Sequence, residues 1–105
     1  MSNPEPVVRE ITESSIVVAT EDQISSDLGG ESVILNMKTG VYHGLNEVGA
    51  RVWNLIEKPK AVKDVKKVLL EEYDVEADAC TNDLFLLLNN LKAAGLIKVT
   101  NETLA

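Results

Sequence analysis

From Glu31 to Leu45 the sequence reads ESVILNMKTGVYHGL, two short apolar runs joined by Lys38-Thr39-Gly40. Short apolar and β-branched runs bounded by turn residues are strand signals. The spacing predicts strands at Ser32 to Met37 and Val41 to Leu45, with Gly40 at the left-handed position of a hairpin loop. Alternation puts Val41, His43 and Leu45 on one face of the second strand, with Tyr42 and Gly44 on the other. Upstream, Gln23 to Leu28 alternates weakly around Ile24 and Leu28. It predicts a first edge strand, closed by the turn signal Gly29-Gly30. Ser15 to Thr20 (SIVVAT) reads as a strand or an extended lead-in. Met1 to Ser15, with Pro4, Pro6 and several charges, reads as a fraying approach.

After Leu45 the apolar spacing changes from that of a strand to that of a helix. Asn46 is placed to cap the first helix, Glu47 suits its positive end, and Leu45 is placed to staple against Ala50. Gly49, Val52, Trp53 and Ile56 recur at helical spacing, and Lys58-Pro59-Lys60 stops the pattern. A second helix is expected over Ala61 to Tyr73, burying Val62, Val65, Val68 and Leu69. A third is expected over Glu76 to Ala94, with Cys80, Leu84, Leu87, Leu88 and Leu91 as its core stripe and Gly95 as its cap. Leu96 to Val99 then reads as a short extended segment. Phe85 and Leu86 flank the third helix's stripe, so Leu84 to Leu88 is apolar on nearly every side. That surplus needs a cover: the N-terminal segment, a second copy or a ligand.

The order of elements predicts an α+β fold, a small antiparallel sheet of about three strands followed by a three-helix bundle. This is a winged helix-turn-helix with its wing first. Residues 1–22 form an approach segment, partly flexible, residues 23–99 the domain, and residues 100–105 a tail.

A chain of 105 residues suits one domain with a core that needs no cross-links. Hydrophobic residues at 45% and charged residues at 26% are ordinary for a soluble globular protein. Seventeen acidic residues against ten basic ones give a net charge of -7, which repels phosphate backbones and anionic membranes unless the cations cluster. Lys58, Lys60, Lys63, Lys66 and Lys67 do cluster in sequence. Glu71, Glu72 and Asp74 balance them, and a solvated helix face accounts for the pattern better. A DNA-reading third helix would need cations along its front, yet it offers only Lys92 beside Asn82, Asn89 and Asn90, and begins with Glu76, Asp78 and Asp83. No apolar run approaches the roughly 20 residues of a membrane span, and MSNPEPVVRE lacks a signal-peptide layout. The expectation is a cytoplasmic protein without nucleic-acid or membrane partners.

Catalytic and metal chemistry find little support. The one histidine, His43, and the one cysteine, Cys80, lie on different elements. Cys80 matches the spacing of Leu84 and Leu87 and reads as a small buried hydrophobe. The acidic run DVEAD lacks the glycine and later glutamate of a calcium loop, one His and one Cys cannot close a zinc site, and no glycine-rich phosphate loop occurs. No catalytic residue, metal or cofactor is expected, and the chain is read as a non-enzyme.

The run SVILNMKTGVYHGLNEVGARVWNLIE, followed by AVKDVKKVLLEEYDVE and LFLLLNNLKAAGLIKV, resembles the coenzyme PQQ synthesis protein D family over about Glu31 to Val99. The resemblance implies a winged-helix module that binds the leader segment of a ribosomally made precursor peptide and presents it to a separate modifying enzyme. The leader would add as an antiparallel strand beside the family's third strand, in the groove facing the third helix. Carried over, the peptide-binding residues are Val41, Tyr42, His43, Gly44 and Leu45 on the strand, and Leu84, Phe85, Leu88 and Asn89 on the helix. Stand-alone relatives that hand a lasso-peptide precursor to a leader peptidase are the favoured type. The alternatives are a peptide chaperone of PQQ biosynthesis, or a structural or regulatory subunit pairing through its edge strand. The expected state is a monomer or a weak dimer.

Overall fold

The computed structural model describes residues 11–29 and 31–101. The apolar runs around Lys38-Thr39-Gly40 form strands β3 (Ser32–Asn36) and β4 (Val41–Leu45), paired antiparallel with Ser32 opposite Leu45 and Ile34 opposite His43. Gly40 closes the hairpin at φ +74°, a conformation open to glycine at little cost. The expected edge strand is β2 (Gln23–Asp27), which pairs with the other side of β3. The sheet order is β2-β3-β4, so β2 and β4 are its edges.

Strand alternation decides what faces the core. Ser32, Ile34, Asn36 and Leu45 point inward and are buried, and His43 is half-buried on the same side. Ile24 and Tyr42 flank Leu35 on the outer face, 55% and 68% exposed. Among the described residues, most of the large exposed apolar side chains belong to this sheet and its loops: Ile24, Leu28, Met37, Val41 and Tyr42. On the third helix only Leu86 is so exposed, so the surplus apolar surface lies mainly on the sheet.

Helix α1 (Glu47–Leu55) begins where the sequence expects, with Asn46 Oδ1 accepting the Gly49 N–H at 2.9 Å. It buries Val52 and Trp53 and ends before Pro59. Helix α2 (Val62–Glu72) buries Val62, Val65 and Leu69, while Val68 is half-buried. Ala61 offers no capping side chain; instead the Glu13 carbonyl accepts the Lys63 N–H at 3.0 Å. Arg51 on α1 grips Glu72 on α2 through two hydrogen bonds of 2.8 and 2.7 Å. These bonds hold Glu72 below the usual carboxylate range and raise Arg51. Helix α3 (Ala77–Ala93) ends in a Schellman motif: Gly95 at φ +74° donates to the Lys92 carbonyl, and Leu96 to that of Leu91 at 2.9 Å.

A second sheet corrects the expectation of a single one. Strand β1 (Ser15–Ala19) lies between β5 (Lys60–Ala61) and β6 (Ile97–Asn101), antiparallel to both, in the order β5-β1-β6. The described part of the expected approach segment is thus built into the fold, with Val17 fully buried in the core. β6 also runs two residues beyond the expected end of the domain. Expectations for residues 1–10, Gly30 and residues 102–105 lie outside the described residues. One core unites both sheets and all three helices: Val17, Ile34, Trp53, Ile56, Val65, Leu88 and Leu96 are buried in a single cluster.

A carboxylate at the centre of that cluster would have no partner. Val17→Asp should therefore cost about 4 kcal/mol or more. Thermal denaturation followed by circular dichroism should show the midpoint lowered by about 15 °C or more, or no cooperative transition. A lead-in that merely rested on the surface would tolerate the change.

Candidate functional site

With β3 on one side only, β4 leaves its other edge without a strand partner among the described residues. Half of its backbone N–H and C=O groups face outward there. Two adjoining cavities lie between this edge and α3, and a third continues from them between α1, the end of α2 and α3. The first, about 450 Å³, lies between Tyr42, His43, Gly44 and Leu45 on β4 and Leu87, Asn90 and Leu91 on α3. The second, about 220 Å³, continues past Gly44 and Leu45 to Val48 and Gly49, opposite Asp83 and Leu87. The third, about 190 Å³, is walled by Val48, Leu69, Tyr73, Val75, Leu84 and Leu87, with Cys80 and Asp83 also in its lining. Leu87 lines all three and joins them into one trough.

Helical spacing explains the α3 wall. Ala79, Asp83, Leu87 and Asn90 recur three or four apart and share a face, beside the buried stripe of Cys80, Leu84, Leu88 and Leu91. The structure accordingly moves part of the site expected from sequence. Tyr42, His43, Gly44, Leu45 and Leu84 line the groove. Val41 is exposed at the start of the strand and is absent from these three linings. Leu88 is fully buried in the core and lines none of the three cavities. Phe85 is half-buried against the core on the other flank of the stripe, and Asn89 donates to the Phe85 carbonyl at 2.9 Å. Leu87, expected in the core stripe, is the side chain that the groove is built around. Val48, Tyr73, Val75, Asp83 and Asn90 also line the groove, where the sequence reading did not expect them. The spacing of Asp83, Leu87 and Asn90 was the available sign.

The hairpin is fastened to α3 by one buried side chain. Asn36 is 4% exposed, and its Nδ2 donates to the Ala94 carbonyl at 2.7 Å. Its Oδ1 accepts the Lys38 N–H at 2.9 Å and the Thr39 N–H at 3.3 Å. The amide thus shapes the β3–β4 turn and ties it to the end of α3, setting the spacing of the two walls.

Cys80 and His43 line different cavities and do not form a nucleophile–base pair. Burial pushes the Cys80 thiol up; Lys66 opposes this, and Asp83 adds to it. A raised thiol holds less thiolate near neutral pH, so the sulfur is a poor nucleophile.

Two measurements check this geometry. Asn36→Ala leaves the Ala94 carbonyl and two turn N–H groups without their partner, and should cost about 1–3 kcal/mol in urea denaturation. At pH 8, alkylation of Cys80 by iodoacetamide should be slower than that of free cysteine, and urea unfolding should restore the free rate.

Comparison with curated proteins gives no match. Solved structures do match. TbiB1 in complex with the TbiA(beta) leader peptide aligns with a TM-score of 0.72 at 30% identity, covering 77% of this chain and 94% of that one. A lasso peptide synthetase B1 complexed with the leader peptide aligns with a TM-score of 0.69 at 23% identity, covering 78% of this chain and 96% of that one. The second likeness shows the fold alone. The family model for coenzyme PQQ synthesis protein D matches residues 31–97, from the β3–β4 hairpin through α3 to the first residue of β6, and the chain belongs to that family.

Proposed function

We propose that this chain is a non-catalytic recognition module for the leader segment of a ribosomally made precursor peptide. The leader adds as a strand to the free edge of β4 and lays alternate side chains into the groove against α3. The observation that carries this reading is the juxtaposition itself: a strand edge with no partner among the described residues, beside a mainly apolar trough. TbiB1, the similar protein at 30% identity, is complexed with a leader peptide, which supports the same ligand class here.

Energetics assign different tasks to the two walls. Each strand hydrogen bond contributes about 0.5–1.5 kcal/mol net, and ordering a peptide residue costs about 1–2 kcal/mol. Backbone pairing therefore fixes register with little net affinity. Affinity comes from apolar side chains, each contributing about 1.5–3 kcal/mol when buried. The Leu87 trough is where they are buried.

Binding without chemistry implies a second protein. The leader holds the precursor on β4 while the rest of the precursor passes to a separate modifying enzyme, a leader peptidase of the lasso type in the reading favoured here. Copies of this chain pairing edge to edge through β4 are the competing use of the same surface.

Leu87 is half-buried at the edge of the core, so Leu87→Glu is compared only after circular dichroism shows that the variant is folded. In titration calorimetry with a synthetic leader of the cognate precursor, Leu87→Glu should weaken binding by about tenfold or more. Lys67→Glu, on the solvent face of α2, should leave it unchanged. Hydrogen exchange should slow in β4 on leader addition. Equal affinity for Leu87→Glu, or β4 amides already protected in a concentration-dependent dimer, would refute the reading.

A further inference from the structure

The groove is mainly apolar, but its middle holds one carboxylate. Asp83 lines both the second and the third cavity, between Leu87 on one side and Leu84 with Val75 on the other. No lysine or arginine among the described residues lines any of the three cavities. Among the described residues, no hydrogen bond or ion pair engages the Asp83 side chain. The two ion pairs nearest in sequence use other acids, Glu72 with Arg51 and Glu13 with Lys66.

In the free protein Asp83 is exposed and water solvates it. A strand lying along β4 would remove much of that water and leave the carboxylate between apolar walls. Desolvating a charge without a partner is costly, so a wholly apolar leader would be penalised at this point. A leader cation placed there would offset the loss. The whole-protein charge of -7 also attracts basic peptides and speeds their encounter.

We infer that the groove selects leaders carrying a lysine or arginine opposite Asp83, set between an apolar residue for the Leu87–Leu91 cavity and another for the Val75–Leu84 cavity. This rests on the leader-strand reading and names the ligand pattern it requires. Asp83 acts here as a specificity residue: the apolar pockets hold the peptide, and the carboxylate fixes which register and which leaders are accepted. An uncharged groove would allow a greasy strand to slide by two residues, and a single charge between two anchors penalises the slipped register.

The test is selection from a displayed library of randomised peptides long enough to span the groove, run on the wild type, Asp83→Asn and Asp83→Lys. Asp83 is exposed, so both substitutions leave the core intact. The wild type should enrich one Lys or Arg position flanked by apolar positions. Asp83→Asn should lose that enrichment, and Asp83→Lys should turn it towards Asp or Glu, a reversal that a purely structural role would not produce. A wild-type-selected peptide should bind Asp83→Asn about two- to fivefold more weakly. Peptides that lose binding on Leu87→Glu yet show no charge preference would overturn this inference and leave the leader-strand reading standing. Selected peptides indifferent to Leu87→Glu would overturn both.

Discussion

The groove exists because Asn36 is satisfied on every side that matters. Its carboxamide oxygen accepts from the turn between β3 and β4, and its nitrogen donates to the last carbonyl region of α3. A buried amide with unmet hydrogen bonds is costly, so the turn and the helix end cannot part without a penalty of about 1–3 kcal/mol. The Schellman motif places the accepting carbonyl: Gly95 turns the chain at positive φ, and a Cβ there would stand 3.4 Å from Asn36 Nδ2. The width of the trough is thereby fixed from one end. At the other end the Asn46 cap holds the start of α1 directly after β4. The strand is clamped between two caps, and its edge, unpaired among the described residues, is held beside Leu87.

Local chemistry was legible in the sequence, and long-range pairing was not. The hairpin, the Asn46 cap and the Gly95 stop each depend on residues within a few positions of one another, and each lies where its signal stands. The second sheet joins Ile16 to Ala61 and to Thr100. No periodicity within β5, two residues long, could have announced it. The β-branched run from Ser15 was readable as a strand, yet its place at the centre of a sheet depended on partners far along the chain.

The site shows the same division. The β4 side was readable because a strand has only two faces. The α3 side was not, because Leu84 to Leu88 is apolar around nearly the whole helix. Such a run says that the helix is buried without saying how it is turned about its axis. Packing makes that choice: Leu84 and Leu88 go to the core, Phe85 falls on one flank and Leu87 on the other. Leu87 and Phe85 are chemically alike, and the rotation that distinguishes them comes from the tie through Asn36 and the contacts of α3 with α2 and β6.

The strand edges themselves argue for where a foreign backbone would dock. Two sheets of three strands have four edges, and an unguarded edge invites pairing. β5 is only two residues long. β6 carries Lys98 and β2 carries Asp27, charges of the kind that blunt an edge. β4, VYHGL, has no carboxylate, lysine or arginine, and it is the edge that faces an apolar trough. Among the described residues, three edges carry such protection and the fourth does not. A strand left open beside a ready-made wall is suited to a ligand that is itself an extended chain. The same openness would be a liability if the trough did not favour particular side chains over any passing strand. Under the proposed strand-addition reading, selectivity resides in the α3 wall, because the backbone groups of β4 accept every sequence alike.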